Sequence, residues 1–305
     1  MGKIVWIDGD EIAYKLATKA ENKFVTYDGR MFKTVTAAKA VVDDFDPSLL
    51  QYHVEGVVDW KNKVADSLQW YMNGLKYWCG DDPVMVFGEN SFRKEIAKMQ
   101  LYKSSRNNTE RPQVLSDVRD MLRGEFESVD ALFAYEGDDA LVINCLEYGG
   151  VISSSDKDLF TVPCRVTTLQ NPSRPVDCNV FGGLRLNAAG SVKGIGRKFA
   201  YFQTLFGDVS DCYRPFIHST TVKKYGEKRV KADLDELTTD KQCVDFIVQK
   251  YQQAYPEPFT FTDHDGVLQT FTWQMALQEI LHCCYMRRFY GDELSLDRFM
   301  EKGFV

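Results

Sequence analysis

Four short apolar runs, each followed by an acidic residue, constrain the fold of this chain more than any other sequence feature. The runs lie at residues 3–8 (KIVWID), 83–88 (PVMVFG), 129–135 (VDALFAY) and 150–155 (GVISSS), and the acids are Asp8, Glu89, Glu136 and Asp156. Segments with helical spacing lie between the runs, and strands that alternate with helices are typical of a parallel α/β sheet. Since the carboxyl ends of parallel strands meet at one edge of the sheet, we expect these acids to converge there.

The segments between and after these strands predict further elements. An Asp-Gly turn at Asp28-Gly29 predicts a hairpin over residues 24–34. Helical spacing and end signals predict helices at 10–18, 57–78, 91–99, 112–126, 138–146, 197–206, 240–255 and 273–289. We therefore expect an α/β protein with a parallel central sheet, helices on both of its faces, and a mostly helical C-terminal region.

More acids follow the strand ends than helix capping requires. Asp10, Asp138, Asp139 and Asp158 lie one or two residues further along, and Asp208 and Asp211 lie in GDVSD, where a spacing of three predicts one helical face. A single acid at each place would be explained as the cap of the following helix. Clustered carboxylates, in contrast, repel one another unless a cation neutralises them, and hard divalent ions such as Mg²⁺ or Mn²⁺ prefer carboxylate ligands.

The net charge of −7 argues against nucleic acid as a partner, but the basic residues are unevenly distributed. Residues 91–111 hold six Lys/Arg against two acids, and residues 183–231 hold ten against three. Such segments predict a local surface for phosphate, although ordinary solvated faces would show the same pattern. The candidate nucleic-acid-binding residues are Arg93, Lys98, Arg111, Lys193, Arg197, Lys198, Lys223 and Lys224.

The sequence argues against a zinc protein and against a membrane protein. None of the eight cysteines forms a C-x-x-C pair, and the four histidines do not accompany them at zinc-ligand spacing, so a zinc site is not expected. No apolar run reaches the roughly 18 residues of a membrane span, and the apolar run at the N-terminus is too short for a signal peptide. We expect a cytoplasmic chain.

Five motifs in order resemble the 5′-nuclease family. They are IDGD ending at Asp10, YKSSR at residues 102–106, EGDD at 136–139, SSDKDL at 154–159 and GDVSD at 207–211. The family includes flap endonucleases, the 5′-nuclease domains of bacterial DNA polymerases and bacteriophage 5′-to-3′ exonucleases, and the exonucleases of short-tailed lytic phages are the most similar. The resemblance spans residues 4–211 and implies a PIN-like 5′-nuclease fold. It also implies an α/β nuclease core at 1–185, with a basic helical gateway around 91–126, and a DNA-binding region at 186–305.

The resemblance assigns the acids to two metal ions at the edge of the sheet. Asp8, Glu89, Glu136 and Asp138 resemble the ligands of the first ion, and Asp156, Asp158, Asp208 and Asp211 resemble those of the second. Asp139 is expected to act through a water molecule, and Asp10 to lie behind the ligands. The ions implied are two Mg²⁺, for which Mn²⁺ can substitute.

The resemblance also assigns the residues that meet the substrate. Tyr102, Lys103 and Arg106 correspond to the gateway, where the lysine and the arginine contact the scissile phosphate and the tyrosine stacks on a base. One segment departs from the family, whose G-D-x-x-D motif usually precedes a glycine-rich helix–turn–helix that holds duplex DNA and often potassium. Cys212-Tyr213-Arg214-Pro215 follows the motif here, which leaves duplex and potassium binding open.

The expected activity is two-metal hydrolysis of phosphodiester bonds at the 5′ ends of duplex DNA and RNA/DNA hybrids, with flap cleavage as a further activity. The resemblance implies a role in phage DNA replication, recombination and primer removal in the host cytoplasm. It also implies a monomer that has replication proteins as partners and does not bind a membrane. Two alternatives stay open. Asp8-Gly9-Asp10 also imitates the nucleophile motif of a haloacid-dehalogenase-like phosphatase, and a non-catalytic nucleic-acid-binding protein could share the fold.

Overall fold

The computed structural model describes residues 3–55, 59–88, 91–104, 111–222 and 225–305. In chain order, the strands of these residues are β1 (Ile4–Asp8), β2 (Asn22–Tyr27), β3 (Arg30–Phe32), β4 (Leu50–Glu55), β5 (Asp82–Phe87), β6 (Glu127–Asp130), β7 (Val151–Ser153), β8 (Arg165–Thr168), β9 (Asn171–Asp177), β10 (Gly183–Leu186), β11 (Val192–Ile195), β12 (Phe259–Thr262) and β13 (Leu268–Phe271). The helices are α1 (Gly9–Ala20), α2 (Val35–Lys39), α3 (Trp60–Trp78), α4 (Arg93–Ile96), α5 (Leu115–Glu125), α6 (Gly137–Tyr148), α7 (Arg197–Phe206), α8 (Glu227–Asp235), α9 (Asp240–Ala254), α10 (Trp273–Cys284) and α11 (Leu296–Lys302).

A six-stranded sheet lies at the centre, in the order β6-β5-β1-β7-β8-β9. Its neighbours run parallel except β8 and β9, which are antiparallel. Strand β1 occupies the middle because both of its faces are apolar. Val5 and Ile7 pack with α1, α3 and α5 on one face, while Trp6 packs with α6 on the other. The α/β fold with a largely parallel sheet and helices on both faces is therefore confirmed.

A third apolar cluster joins the C-terminal helices α7, α9, α10 and α11. It also takes in Met99 and Tyr102 from the segment after α4, so this segment packs against the C-terminal helices. The predicted domain boundary at residue 185 falls inside β10, which pairs with β11. The division into two domains with a helical gateway stays a prediction.

The predicted hairpin is confirmed, and several predicted ends are corrected. Asp28 and Gly29 have φ values of 50° and 71° and join the antiparallel strands β2 and β3, as an Asp-Gly turn requires. The third predicted strand ends at Asp130 rather than before Glu136, because the chain turns away and Ala134 adopts a φ of 71°. The helix predicted over 91–99 shortens to α4, and the one over 273–289 ends with α10.

No helix in the described part of the chain combines the length and the apolar character that a membrane span requires.

Candidate metal centre

The carboxyl end of β5 and the first turn of α6 touch at two glycines. A Cβ atom on Gly88 would lie 2.4 Å from the backbone nitrogen of Gly137, which no side chain tolerates. Asp10 supports the contact, because its Oδ2 accepts a hydrogen bond from the Gly88 N–H at 2.8 Å and its Oδ1 pairs with Arg119 at 3.1 Å. This close approach brings the acids of α6 to the edge of the sheet where β1 ends at Asp8.

Three buried aspartates form the tightest acidic group among the described residues. Carboxylate oxygens of Asp158, Asp208 and Asp211 lie within 4.8 Å of one another, and no other side-chain type contributes to the group. Asp158 opens a short 3₁₀ turn after β7. Carboxylate oxygens alone suit a hard divalent ion, so the donor set fits the ion that the motifs imply.

Asp208 and Asp211 do not share a helical face, contrary to the prediction from their spacing. Helix α7 ends at Gly207, whose φ of 82° turns the chain, and a Cβ there would meet the Tyr213 carbonyl oxygen at 2.2 Å. The backbones of Asp208 and Tyr213 then exchange two hydrogen bonds of 3.0 and 3.1 Å. A tight turn, rather than a helix, therefore aims the two carboxylates at Asp158.

The electrostatics of this triad show the cost of holding three acids together. Burial, followed by the charge of Asp156, raises the pKa of Asp158 well above its usual range. Burial also raises the pKa of Asp211, although the charge of Lys103 opposes the shift. Lys157 forms an ion pair with Asp208, and the Gln203 amide donates a hydrogen bond to Asp158.

A second group of acids adjoins the triad. Burial raises the pKa of Asp8 to about 7, although its carboxylate accepts hydrogen bonds from the Glu11 N–H at 2.8 Å and the Ser154 hydroxyl at 3.0 Å. Burial also raises the pKa of Asp138 well above its usual range, and the negative charges of Asp156 and Asp8 raise it further. Asp8 and Asp156 are thus close enough to Asp138 to repel it, and Asp156 also acts on Asp158, so its charge affects both groups of acids.

Lys103 lies between the two groups. Its Nζ is 2.7 Å from Oε1 of Glu136 and 3.9 Å from Oδ2 of Asp211, and its backbone N–H donates to the Asp211 carbonyl at 2.8 Å. Burial alone would raise the pKa of Glu136, but the charges of Arg93 and Lys103 lower it to about 2. The structure therefore places Lys103 against the acids, and its contact with the scissile phosphate stays a prediction.

Tyr102 lies at the site, but in a different role from the one expected. The side chain is 2% exposed, and its hydroxyl donates a hydrogen bond of 2.8 Å to Oδ2 of Asp211. A ring packed in the C-terminal apolar cluster has no face free for a base, so the stacking assignment is wrong for this conformation. Tyr102 instead orients one carboxylate of the triad.

Arg93 and Asp139 form a buried structural ion pair. Arg93 is therefore not part of a surface for nucleic acid, and Asp139 is not a ligand that acts through water. Arg93 is completely buried, and its Nη1 and Nη2 donate to the two Asp139 oxygens at 2.8 and 2.9 Å. Nη1 also reaches Glu136 at 2.8 Å, and Nη2 reaches the Tyr285 carbonyl at 2.8 Å. Both carboxylate oxygens of Asp139 are occupied by this pairing, and Oδ1 accepts the Arg287 N–H as well.

The remaining basic candidates differ in how accessible they are. Lys198 is buried with its ammonium over the Phe181 ring, so its assignment to nucleic acid is also wrong. Arg197 pairs with Asp240 at 2.9 Å and Lys98 with Asp265 at 3.3 Å. Arg111 and Lys193 are exposed. Four predicted site residues lie outside the described residues, namely Glu89, Arg106, Lys223 and Lys224.

Sequence reasoning missed Lys157, Gln203 and Ser154, which contact Asp208, Asp158 and Asp8, respectively. Lys157 and Ser154 lie within the SSDKDL motif, so their position beside the acids was available as a signal. Gln203 had no such signal, because it lies inside α7, outside the acidic motifs, and the packing of that helix decides where its side chain points.

Two solved structures are similar to this chain over most of its length. One is the T5 D15 protein co-crystallised with metal ions, at 11% identity and a TM-score of 0.47, covering 93% of this chain and 88% of that one. The other is T5 5′-exonuclease with bound zinc ions, at 12% identity and a TM-score of 0.42, covering 92% and 87%. No family model matches the chain. No curated protein matches it. Function therefore has to be inferred from the residues of the site.

Proposed function

We propose that this chain is a divalent-metal-dependent 5′-nuclease that hydrolyses phosphodiester bonds from the 5′ ends of duplex DNA and of RNA/DNA hybrids. The observation that carries the proposal is the buried triad of Asp158, Asp208 and Asp211, with a second acidic group and a lysine beside it. Carboxylates held together at the edge of a parallel sheet repel one another, and cations that bind between them reduce this repulsion.

The two acidic groups suit two ions, Mg²⁺ or Mn²⁺. Asp158, Asp208 and Asp211 would hold one of them together with Asp156, and Asp8, Glu136 and Asp138 would hold the other together with Glu89. When bound, two such ions can activate a water molecule and stabilise the leaving oxygen of a phosphodiester. Glu136 is suited to binding a cation because its pKa of about 2 keeps its carboxylate charged at neutral pH.

Lys103 supplies a positive charge for the substrate. Its ammonium can turn from Glu136 towards the non-bridging oxygens of a phosphate, where it would offset negative charge in the transition state. Tyr102 positions Lys103 indirectly. The Tyr102 hydroxyl donates to the Asp211 carboxylate, and the Asp211 backbone carbonyl in turn accepts the Lys103 N–H. Flap cleavage and primer removal during phage DNA replication belong to the same proposal.

The phosphatase alternative explains less of the site. It would use Asp8 and Asp10 as nucleophile and acid, but Asp10 accepts from the Gly88 N–H and pairs with Arg119. It also assigns no role to the buried triad. A non-catalytic DNA-binding protein would have no need of three buried acids, whose repulsion the fold has to overcome.

The test is a time course on duplexes, flaps and RNA/DNA hybrids labelled at either end, with Mg²⁺ or with chelator. We expect cleavage that starts at the 5′ end, requires the ion and leaves 5′-phosphates, with negligible hydrolysis of a generic phosphomonoester. Cleavage from the 3′ end, or phosphomonoester hydrolysis alone, would contradict the proposal. Binding to DNA without cleavage in Mg²⁺ or Mn²⁺ would favour the non-catalytic alternative.

A further inference from the structure

Residues 97–103, which lead from α4 to Lys103, form neither a helix nor a strand. Ala97, Met99 and Tyr102 of this segment are buried in the apolar cluster of the C-terminal helices. Lys103 itself adopts a φ of 54°. Since no helix or sheet ladder holds the backbone here, contacts with other parts of the chain have to fix where Lys103 lies.

Both backbone groups of Met99 are held by side chains of the C-terminal region. The Met99 N–H donates a hydrogen bond of 2.9 Å to Oε1 of Glu279 on α10. The Met99 carbonyl oxygen lies 3.2 Å from Nε2 of His218, and this nitrogen is the donor because a carbonyl oxygen only accepts. The His218 ring stacks on Phe261 with 4.3 Å between centroids, which orients the donor.

Glu279 is the one charged residue on the buried face of α10. It is 6% exposed, and the other buried residues of the helix are apolar residues and cysteines. Burial raises the pKa of Glu279 to about 7, although the backbone N–H groups of Met99 and Lys98 oppose the shift. Burial of an acid costs free energy that an apolar side chain would not cost, and the hydrogen bond from Met99 offsets part of it.

Met99 is linked to the acidic site by a short length of chain. Three residues separate it from Lys103. At that end, Asp211 accepts hydrogen bonds of 2.8 Å from the Tyr102 hydroxyl and from the Lys103 N–H, and the Lys103 ammonium lies 2.7 Å from Glu136. The segment is therefore attached to the C-terminal part of the chain at Met99 and again at Lys103.

We propose that Glu279 and His218 are positioning residues for Lys103. They hold the backbone of Met99, and through it the lysine that offsets charge on the substrate phosphate, without touching the substrate themselves. A displacement of about 1 Å can cost about 10²-fold in rate, so the attachment at Met99 affects cleavage. The inference rests on the proposed nuclease function for the role of Lys103.

Hydrogen exchange of the full chain, followed by mass spectrometry of the peptides that cover residues 97–104, tests the positioning without an activity assay. Glu279→Leu removes the acceptor of the Met99 N–H, so exchange in these peptides should become faster. Glu279→Gln keeps a side-chain oxygen as acceptor and should keep most of the protection.

A second variant and a matched control accompany this measurement. His218→Phe keeps a ring against Phe261 but loses the donor to Met99, so it should also speed exchange, and it replaces Glu279→Leu if that variant does not fold. The control is Glu227→Leu on α8. It removes the acceptor of the Val192 N–H instead, and should leave the exchange of residues 97–104 unchanged.

A double-mutant cycle with Lys103→Met tests whether the effect on catalysis passes through Lys103. With protein in excess, Glu279→Leu should lower single-turnover cleavage of a 5′-ended duplex in Mg²⁺ by about 10-fold to 100-fold. In the Lys103→Met background it should lower the rate by less than about twofold, because the group that it positions is already absent. Glu279→Gln should restore most of the wild-type rate.

Other results would overturn the inference. Unchanged exchange of residues 97–104 in both Glu279→Leu and His218→Phe would show that other contacts hold the segment. An unchanged rate in Glu279→Leu, or equal losses with and without Lys103→Met, would make Glu279 a merely structural residue. A wild type that never cleaves, but whose segment loses protection in Glu279→Leu, would contradict the proposed function and not the attachment of Lys103 through Met99.

Discussion

Lys103 and Glu136 form an ion pair at the centre of the acidic site, with 2.7 Å between Nζ and Oε1. The backbone of Lys103 has a φ of 54°, which is unusual for a residue with a side chain, and its N–H is fixed by the Asp211 carbonyl. Such backbone strain persists only where the surrounding structure enforces it. The fold thus holds one cation against acids that come from two different segments of the chain.

Replacing Lys103 by methionine should slow the chemical step. A positioned cation that offsets charge on the phosphoryl oxygens is worth about 10²–10³ in rate, so single-turnover cleavage of a 5′-ended duplex should fall by that factor. Affinity should change little, because one phosphate contact of several is lost. Lys76→Met, at an exposed position on α3, is the matched control. Equal losses of rate and affinity would make Lys103 a plain binding residue.

Asp158→Asn should remove most of the stabilisation of the folded protein by divalent ions. This effect can be measured without an activity assay. An ion that binds only the folded state stabilises it by about 2.7 kcal/mol at a concentration of 100 times its Kd. We therefore expect the thermal midpoint of the wild type to rise with Mn²⁺ or Mg²⁺, and that of Asp158→Asn to rise much less. Asp245→Asn, which removes an exposed acid paired with Lys241, should respond like the wild type. An equal rise in all three proteins would place the ions elsewhere.

The stability of the metal-free protein should fall as the pH rises from about 4 to about 7. Asp8 has a pKa of about 7 in the folded chain and near 4 when unfolded, so the folded state binds more protons in this window. Asp8→Asn should flatten the dependence while it keeps an acceptor for the Glu11 N–H. Glu279, whose burial raises its pKa to about 7, contributes with the same sign in both proteins. Denaturant unfolding in chelator measures the difference, and parallel curves would show that Asp8 is not perturbed.

Arg93→Met should destabilise the fold rather than weaken DNA binding selectively. Removing one partner of a buried ion pair leaves an uncompensated charge, which costs about 3–5 kcal/mol. Arg93→Lys should rescue little, since lysine cannot make the paired hydrogen bonds to both Asp139 oxygens. Urea unfolding measures the loss, with the exposed neighbour Lys94→Met as control. A stable Arg93→Met protein with weakened DNA affinity would restore the original assignment of this arginine.

The acids at the edge of the sheet were predictable from the sequence, whereas the pairing of individual charges was not. Asp8 ends one apolar run and Asp158 lies shortly after another, and both runs are predicted to be buried strands, so the parallel-sheet rule assigns these acids to one edge of the sheet. Arg93 lies in a basic segment like any solvated lysine or arginine. Its burial depends on Asp139 and on the Tyr285 carbonyl, 192 residues away in sequence.

Contacts between distant residues, which the local sequence pattern does not show, also explain the errors in the predicted ends of elements. The run at 129–135 is apolar enough for a buried strand, but β6 ends at Asp130, the last residue that pairs with β5. The spacing of Asp208 and Asp211 fits a helix, but the positive φ of Gly207 ends α7 before them. In both cases the contacts of the folded chain, rather than the side-chain period, decide where the element stops.

Single-turnover cleavage of a 5′-labelled duplex by Asp208→Asn, compared with the wild type over a range of Mg²⁺ concentrations, tests the central claim most directly. The wild type should release labelled nucleotides or short oligonucleotides at a rate that rises with Mg²⁺ and then saturates. Asp208→Asn should lose at least about a hundredfold in rate at every concentration, because its carboxylate belongs to the triad. A variant that cleaves at nearly the wild-type rate would show that the triad of Asp158, Asp208 and Asp211 is not the metal centre of this protein.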